Sequence, residues 1–284
     1  MKYKALLGIV GALAMNVGAY AQSANLSLKW VPGTVYKYST TQDMNMTMPM
    51  GGNQMAMTNS MLMNMKNTAA EHPKGVAVKT EYTRLKMTMM MGGNAMMEYD
   101  SEKGGGNAML DGAMKPILES EVTAIYDKSG KLLSMEGLDK LKVNEATGIS
   151  KESIEQMAKQ SSQMLPNKEV KVGETWKTKM DMPMGKQAGE MKISFDMKLD
   201  SITGKTAKVS FSGAMNGEVG QAGAMMKIEA KKIDGQYEFD TELGQITKMD
   251  MNLDFSMTTA EAGGMKMEAK TMTSMKLTGT EKAK

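Results

Sequence analysis

Residues 191–199 alternate apolar and polar side chains without a break. Met191, Ile193, Phe195, Met197 and Leu199 are interleaved with Lys192, Ser194, Asp196 and Lys198. Residues 249–257 repeat the device, with Met249, Met251, Leu253, Phe255 and Met257 set between Asp250, Asn252, Asp254 and Ser256. A period of two predicts strands with one face toward a core and the other toward water. Met44, Met46 and Met48, and again Met61, Met63 and Met65, follow the same rhythm. Methionine shares the apolar face with isoleucine, leucine and phenylalanine, so it reads as a stand-in for ordinary core residues. Residues 76–82 form a run of β-formers after Pro73 and Gly75, and 121–126 and 131–135 flank a Lys128-Ser129-Gly130 turn. Glycines at 51–52, 92–93, 104–106 and 263–264 predict further turns. Long antiparallel meanders fit this spacing better than βαβ units.

One segment departs from period two. Ile154, Met157, Ala158, Ser161, Met164 and Leu165 fall on one helical face, Ser150 is placed to cap it and Pro166 to end it. On either side the chain repeats itself. Pro32-Gly33-Thr34-Val35-Tyr36-Lys37 matches Val172-Gly173-Glu174-Thr175-Trp176-Lys177, and 46–51 matches 180–185. Next, 74–78 matches 204–209, and the aspartate-to-glycine turn at 124–130 matches 237–244. These patterns predict a mainly β fold of antiparallel meander sheets in two related halves, 22–135 and 168–284. An amphipathic helical insert at 136–167 would lie between them and close a curved sheet or half-barrel, or cover an apolar groove as a lid.

Composition changes this picture in one respect. Among 284 residues there are 37 methionines against 4 phenylalanines and 2 tryptophans, so much of the apolar face is written in flexible thioethers. Residues 1–21 have the layout of a secretory signal peptide: Lys2 and Lys4, an apolar run, then Ala19-Tyr20-Ala21. No later run approaches membrane-spanning length. The expectation is an exported protein, periplasmic or extracellular. With no cysteine there are no disulfides, no thiolate chemistry and no acceptor for a lipid anchor. Net charge is +3 before removal of Lys2 and Lys4, with no basic patch, so nucleic acid is a poor partner.

Catalytic patterns are sparse. With a single histidine, His72, and no Gly-x-Ser-x-Gly elbow, a serine hydrolase lacks support, and histidine and cysteine cannot supply a zinc ligand set; His72 precedes Pro73 in an expected solvated turn. There is no phosphate-binding glycine loop and no implied cofactor. Asp196, Asp200, Asp250 and Asp254 belong to the polar strand faces. Glu98, Asp100 and Glu102 lack the twelve-residue pattern of a calcium loop. A second chemistry open to the chain is soft-metal binding. Thioethers suit Cu(I) or Ag(I), and Met46, Met48, Met50, Met182 and Met184 stand in Met-x-Met pairs beside proline and glycine.

Three stretches carry a family resemblance: Trp30 to Tyr38, the Asp127 to Gly130 turn, and Leu165 to Trp176. With them the chain resembles an uncharacterised group of exported bacterial proteins, the domain-of-unknown-function family 6263. The resemblance implies a β-rich, envelope-associated protein and transfers no catalytic residue. Many relatives look like lipoproteins, from which this chain differs by its missing cysteine.

The leading expectation is a non-catalytic protein that binds a hydrophobic small molecule, a lipid or a cell-envelope component. The face would be lined by Met191, Ile193, Phe195, Met197, Leu199, Met251, Leu253 and Phe255. Cu(I) or Ag(I) binding and a purely structural role are the alternatives.

Overall fold

The computed structural model describes residues 22–50, 52–103, 114–115, 118–138, 155, 158, 164–183, 190–221, 224–259 and 264–283. The expected signal peptide, residues 1–21, and most of the expected helix lie outside the described residues. In chain order the strands are β1 (Ser23–Asn25), β2 (Thr34–Met50), β3 (Asn53–His72), β4 (Gly75–Met91), β5 (Asn94–Asp100), β6 (Val122–Tyr126) and β7 (Leu132–Glu136). They continue with β8 (Glu169–Lys171), β9 (Thr175–Pro183), β10 (Glu190–Thr203), β11 (Thr206–Gln221), β12 (Ala224–Asp240), β13 (Gln245–Thr259) and β14 (Lys266–Lys282).

Apart from the small β1–β8 ladder, these strands form one 12-stranded antiparallel sheet, ordered β7-β6-β4-β3-β2-β14-β13-β12-β11-β10-β9, with β5 also on β4. Each hairpin pairs a strand with its chain neighbour. The join between the halves is β14 on β2, the last strand against the first long one. The strand topology repeats: β2 and β9 both start after a left-handed glycine, Gly33 and Gly173, and β4 and β11 both follow tight hairpins.

Two expectations are corrected. Among the described residues no α-helix stands as an element of the fold, and a three-residue 3-10 turn, Ser101–Lys103, is the helical piece with defined bounds. The predicted insert at 136–167 is therefore withdrawn. Nor is the sheet a curved half-barrel: it is open, and β7 and β9 are its two unjoined edges. The physical reason is that the long strands spend their hydrogen bonds on adjacent hairpin partners. The edge strand β7 has only five residues with which to reach β9.

Turn chemistry holds the lower end, where β2, β4, β9, β11 and β13 begin. Asp127 Oδ1 accepts from the Ser129 N–H (2.8 Å), the Ser129 hydroxyl (2.6 Å) and the Lys131 N–H (3.0 Å). The matching Asp240 Oδ1 accepts from the Glu242 N–H (3.0 Å) and the Leu243 N–H (2.9 Å), and its other oxygen meets Lys205 at 3.0 Å. A side chain accepting from its own turn is what allows so tight a reversal.

The extended segment before β2 is laid across this end. Leu26 exchanges backbone hydrogen bonds with Lys168 and Asn167, and the Lys29 N–H donates to the Gly244 carbonyl at 2.9 Å. The Gln245 amide donates to the Lys29 carbonyl, and Tyr38 donates to Gln245 at 2.8 Å. Leu26 is fully buried in the larger core, Leu28 packs against both main cores, and Trp30 stacks edge-on to Tyr36 at 5.0 Å. Gly130 makes room for this strap: a Cβ there would sit 2.3 Å from the Leu28 carbonyl oxygen, and its φ of 83° already excludes most side chains.

Candidate functional site: one apolar face across the sheet

Directly paired residues of an antiparallel sheet share a face. One row can therefore be followed across the strands: Trp176, Met197, Phe211, Gly235, Met251, Thr273, Gln42, Met61, Met87, Tyr99. The eight residues expected to bind a ligand all lie on this face. Phe195, Met197 and Leu199 are buried in the larger core, and Met191, Ile193, Met251, Leu253 and Phe255 are half-buried against it. Between them Lys192, Ser194, Asp196 and Lys198 are exposed, as the alternation predicts.

Glycine shapes this region. Phe195 lies over Gly213 and Phe211 over Gly235; a Cβ on Gly235 would come within 2.4 Å of the Phe211 ring. The two rings meet edge to face at 5.5 Å. Bare backbone on one strand thus receives an aromatic ring from the next, and the face stays dry without a bulky residue at every position.

Some buried polar atoms here have no partner. The Tyr237 hydroxyl, on a residue 1% exposed, and the Trp176 indole N–H are both unsatisfied. Both belong to the apolar face, Tyr237 opposite Val209 and Met249, Trp176 opposite Met197. Burial raises the Tyr237 phenol above its ordinary range, so it stays a neutral donor. The sequence reading missed both. It also missed Leu26, Leu28 and Trp30, whose own period-two spacing was the available signal.

The methionines proposed for metal binding divide. Met46 is 8% exposed and Met48 half-buried on β2, while Met182 pairs with Met191 at the β9 edge. Five strands separate β2 from β9. The two sets therefore cannot serve one ion along the sheet. Met50 is placed by its backbone pairing with Asn53, and Met184 lies outside the described residues.

The carboxylates are used on the polar face. Asp196 pairs with Lys177 (2.8 Å), Asp200 with Lys198 (3.4 Å), Asp250 with Lys248 (2.8 Å) and Asp254 with Lys270 (3.9 Å). Asp100 takes a forked contact from Arg84, whose remaining amine meets Glu102 at 3.1 Å. A guanidinium thus stands where a calcium ion would have to bind, and it holds the Asp100 carboxyl below its ordinary range. Glu98 is exposed. Among the described residues, no group of three or more His, Asp or Glu side chains is arranged to hold a metal.

Two open depressions are present, and neither is lined by the eight apolar residues. One, about 630 Å³, lies between His72, Pro73, Lys74, Gly75 and the 127–129 turn. The other, about 420 Å³, lies among Lys37, Tyr38, Asn64, Lys66 and Thr278. The His72 Nδ1 accepts from the Lys74 N–H at 3.3 Å, a turn contact. Among the described residues no helix is long and apolar enough to cross a membrane; this leaves strands out of account.

With the sheet and its apolar face in place, comparison with known proteins gives the family. Residues 73–284 match the family of unknown function DUF6263. The chain belongs to that family. No curated protein matches it. Among solved structures, this DUF6263 protein is similar to one reported under "Lipid-protein interactions in lipovitellin". The identity is 12% and the TM-score 0.53, over 90% of this chain and 26% of that one. The DUF6263 chain thus corresponds to about a quarter of the lipovitellin chain, and the likeness is one of fold. A second similarity, to the translocator domain of autotransporter NalP from Neisseria meningitidis, has 7% identity and a TM-score of 0.18, over 88% of this chain and 90% of that one.

Proposed function

We propose that this protein is a non-catalytic, exported binder of an apolar ligand, a lipid or lipid-like envelope component, held on the apolar face of the second half. The observation that carries the reading is the half-buried state of Met191, Ile193, Met251, Leu253 and Phe255 on a face whose deeper residues are fully packed. Side chains left part-covered beside a finished core are what a ligand has to gain from. Methionine suits such a surface because its flexible thioether adapts to ligands of varied shape. The likeness to lipovitellin, a structure reported for its lipid–protein interactions, supports a lipid as the ligand class.

Native mass spectrometry of the protein taken from its cell envelope tests this. A bound lipid mass is expected, and it should fall at least tenfold in occupancy in Leu253→Asp. A second variant, Leu253→Met, keeps the face apolar and should retain the ligand. Protein that carries no lipid, and that fails to take up a fluorescent fatty acid in solution, contradicts the proposal.

A further inference from the structure

We infer a separate thioether site for a soft monovalent cation, Cu(I) or Ag(I), made by Met46, Met57 and Met91 on three adjacent strands. Met46 of β2 pairs directly with Met57 of β3, which pairs directly with Met91 of β4. The three side chains therefore stand side by side on the same face of the sheet. Cross-strand partners are about 4.5–5.5 Å apart at Cβ. Successive same-face residues of one strand are about 6–7 Å apart. Thioethers converging on one ion are thus better placed across the strands than along Met46, Met48 and Met50. The central Met57 has a methionine neighbour on each side, so only two side chains need to lean inward.

A second observation sets this row apart from the methionines of the packed cores. Met191, Met197, Met215, Met249 and Met251 belong to the larger core, and Met61, Met63 and Met87 pack around Leu85 and Tyr99. Among the described residues, Met46, Met57 and Met91 join none of the three hydrophobic clusters, although Met46 is only 8% exposed. The same row continues on the other side of Met46 with Ala269 and Phe255, so the change from hydrocarbon to sulfur is abrupt. Neutral, polarizable thioethers select soft, low-charge ions; a hard or divalent cation would need carboxylate or imidazole ligands. The in-register polar neighbours are neutral amides: Asn94 of β5 pairs with Met91 at the end of the row, and Asn59 sits one row down between Met44 and Met89.

The test is anaerobic titration of the purified full chain with Cu(I) against a competing chelator, joined to X-ray absorption at the copper edge. One ion per chain in a sulfur-only shell is expected. The triple variant M46L/M57L/M91L keeps the apolar volume and should lose at least tenfold in affinity. The control M197L/M215L/M226L, at buried positions of the larger core, should bind as the parent does. No competitive binding, equal loss in both triples, or nitrogen from His72 in the shell would overturn the inference. Lipid occupancy is read separately, so failure here leaves the apolar-ligand proposal standing and its failure leaves this one.

Discussion

Strands β2 and β10 are written in the same rhythm and end differently. On β10, Met191, Ile193, Phe195, Met197 and Leu199 descend from half-buried to fully buried, and all five join one core with Leu26, Val170 and Phe211. On β2, Met44, Met46 and Met48 also face inward between exposed Asp43, Asn45 and Thr47. Yet no described core cluster contains them. Alternation fixes which face a side chain takes; it does not fix whether anything packs there. In the second half the face is covered by the 24–28 and 165–172 segments, whereas at the upper end of β2 to β4 methionine meets chiefly methionine.

The largest test of that contrast is truncation. Met197→Ala, at a residue 1% exposed, should cost about 2–5 kcal/mol in a denaturant melt. Met46→Ala should cost less than half as much, because fewer packed neighbours are lost. Equal costs would erase the distinction. Next comes Gly235→Ala, whose Cβ would press on the Phe211 ring and on the Asp250 carbonyl at 2.3 Å. Such overpacking costs about 1–3 kcal/mol, and it should disappear in part when Phe211 is also shortened to leucine.

A smaller effect separates the turns from both strands. Burial opposes ionisation of Asp240, but the Leu243 N–H, Lys205 and the Glu242 N–H outweigh it and hold its carboxyl below the ordinary range. A depressed carboxyl stabilises the fold above its unfolded pKa and loses that contribution as pH falls through the lower, folded value. Asp240→Ala should therefore cost about 1–2 kcal/mol near neutrality. The gap to the parent should narrow as pH drops below about 4. A gap that widens in acid would contradict the assignment. Smallest of all is Lys177→Ala: its partner Asp196 is exposed, and no measurable change in Tm is expected.

Much of this was legible beforehand. The strands of 191–199 and 249–257, the paired Asp127 and Asp240 turns and the repeated strand order follow from local pattern, because hairpins pair chain neighbours. The β14–β2 join was not legible, since it unites residues from opposite ends of the chain. The open edges were missed for the same reason: closure depends on long-range pairing that no window of sequence contains. The eight apolar positions share one face of the sheet, as their alternation predicts, but the strap from Leu26 to Trp30 was overlooked because three alternating residues make too short a run to stand out. The difference between packed and unpacked methionine was also hidden, because one letter serves both.

Methionine oxidation mapped residue by residue tests the central contrast most directly. Under mild peroxide, once the exposed Met90, Met96, Met265 and Met272 have reacted, purified protein should form sulfoxide next at half-buried Met48, Met55, Met57 and Met91, and slowest at Met197 and Met215. Similar rates at the two sets, or faster oxidation of Met197, would contradict the account.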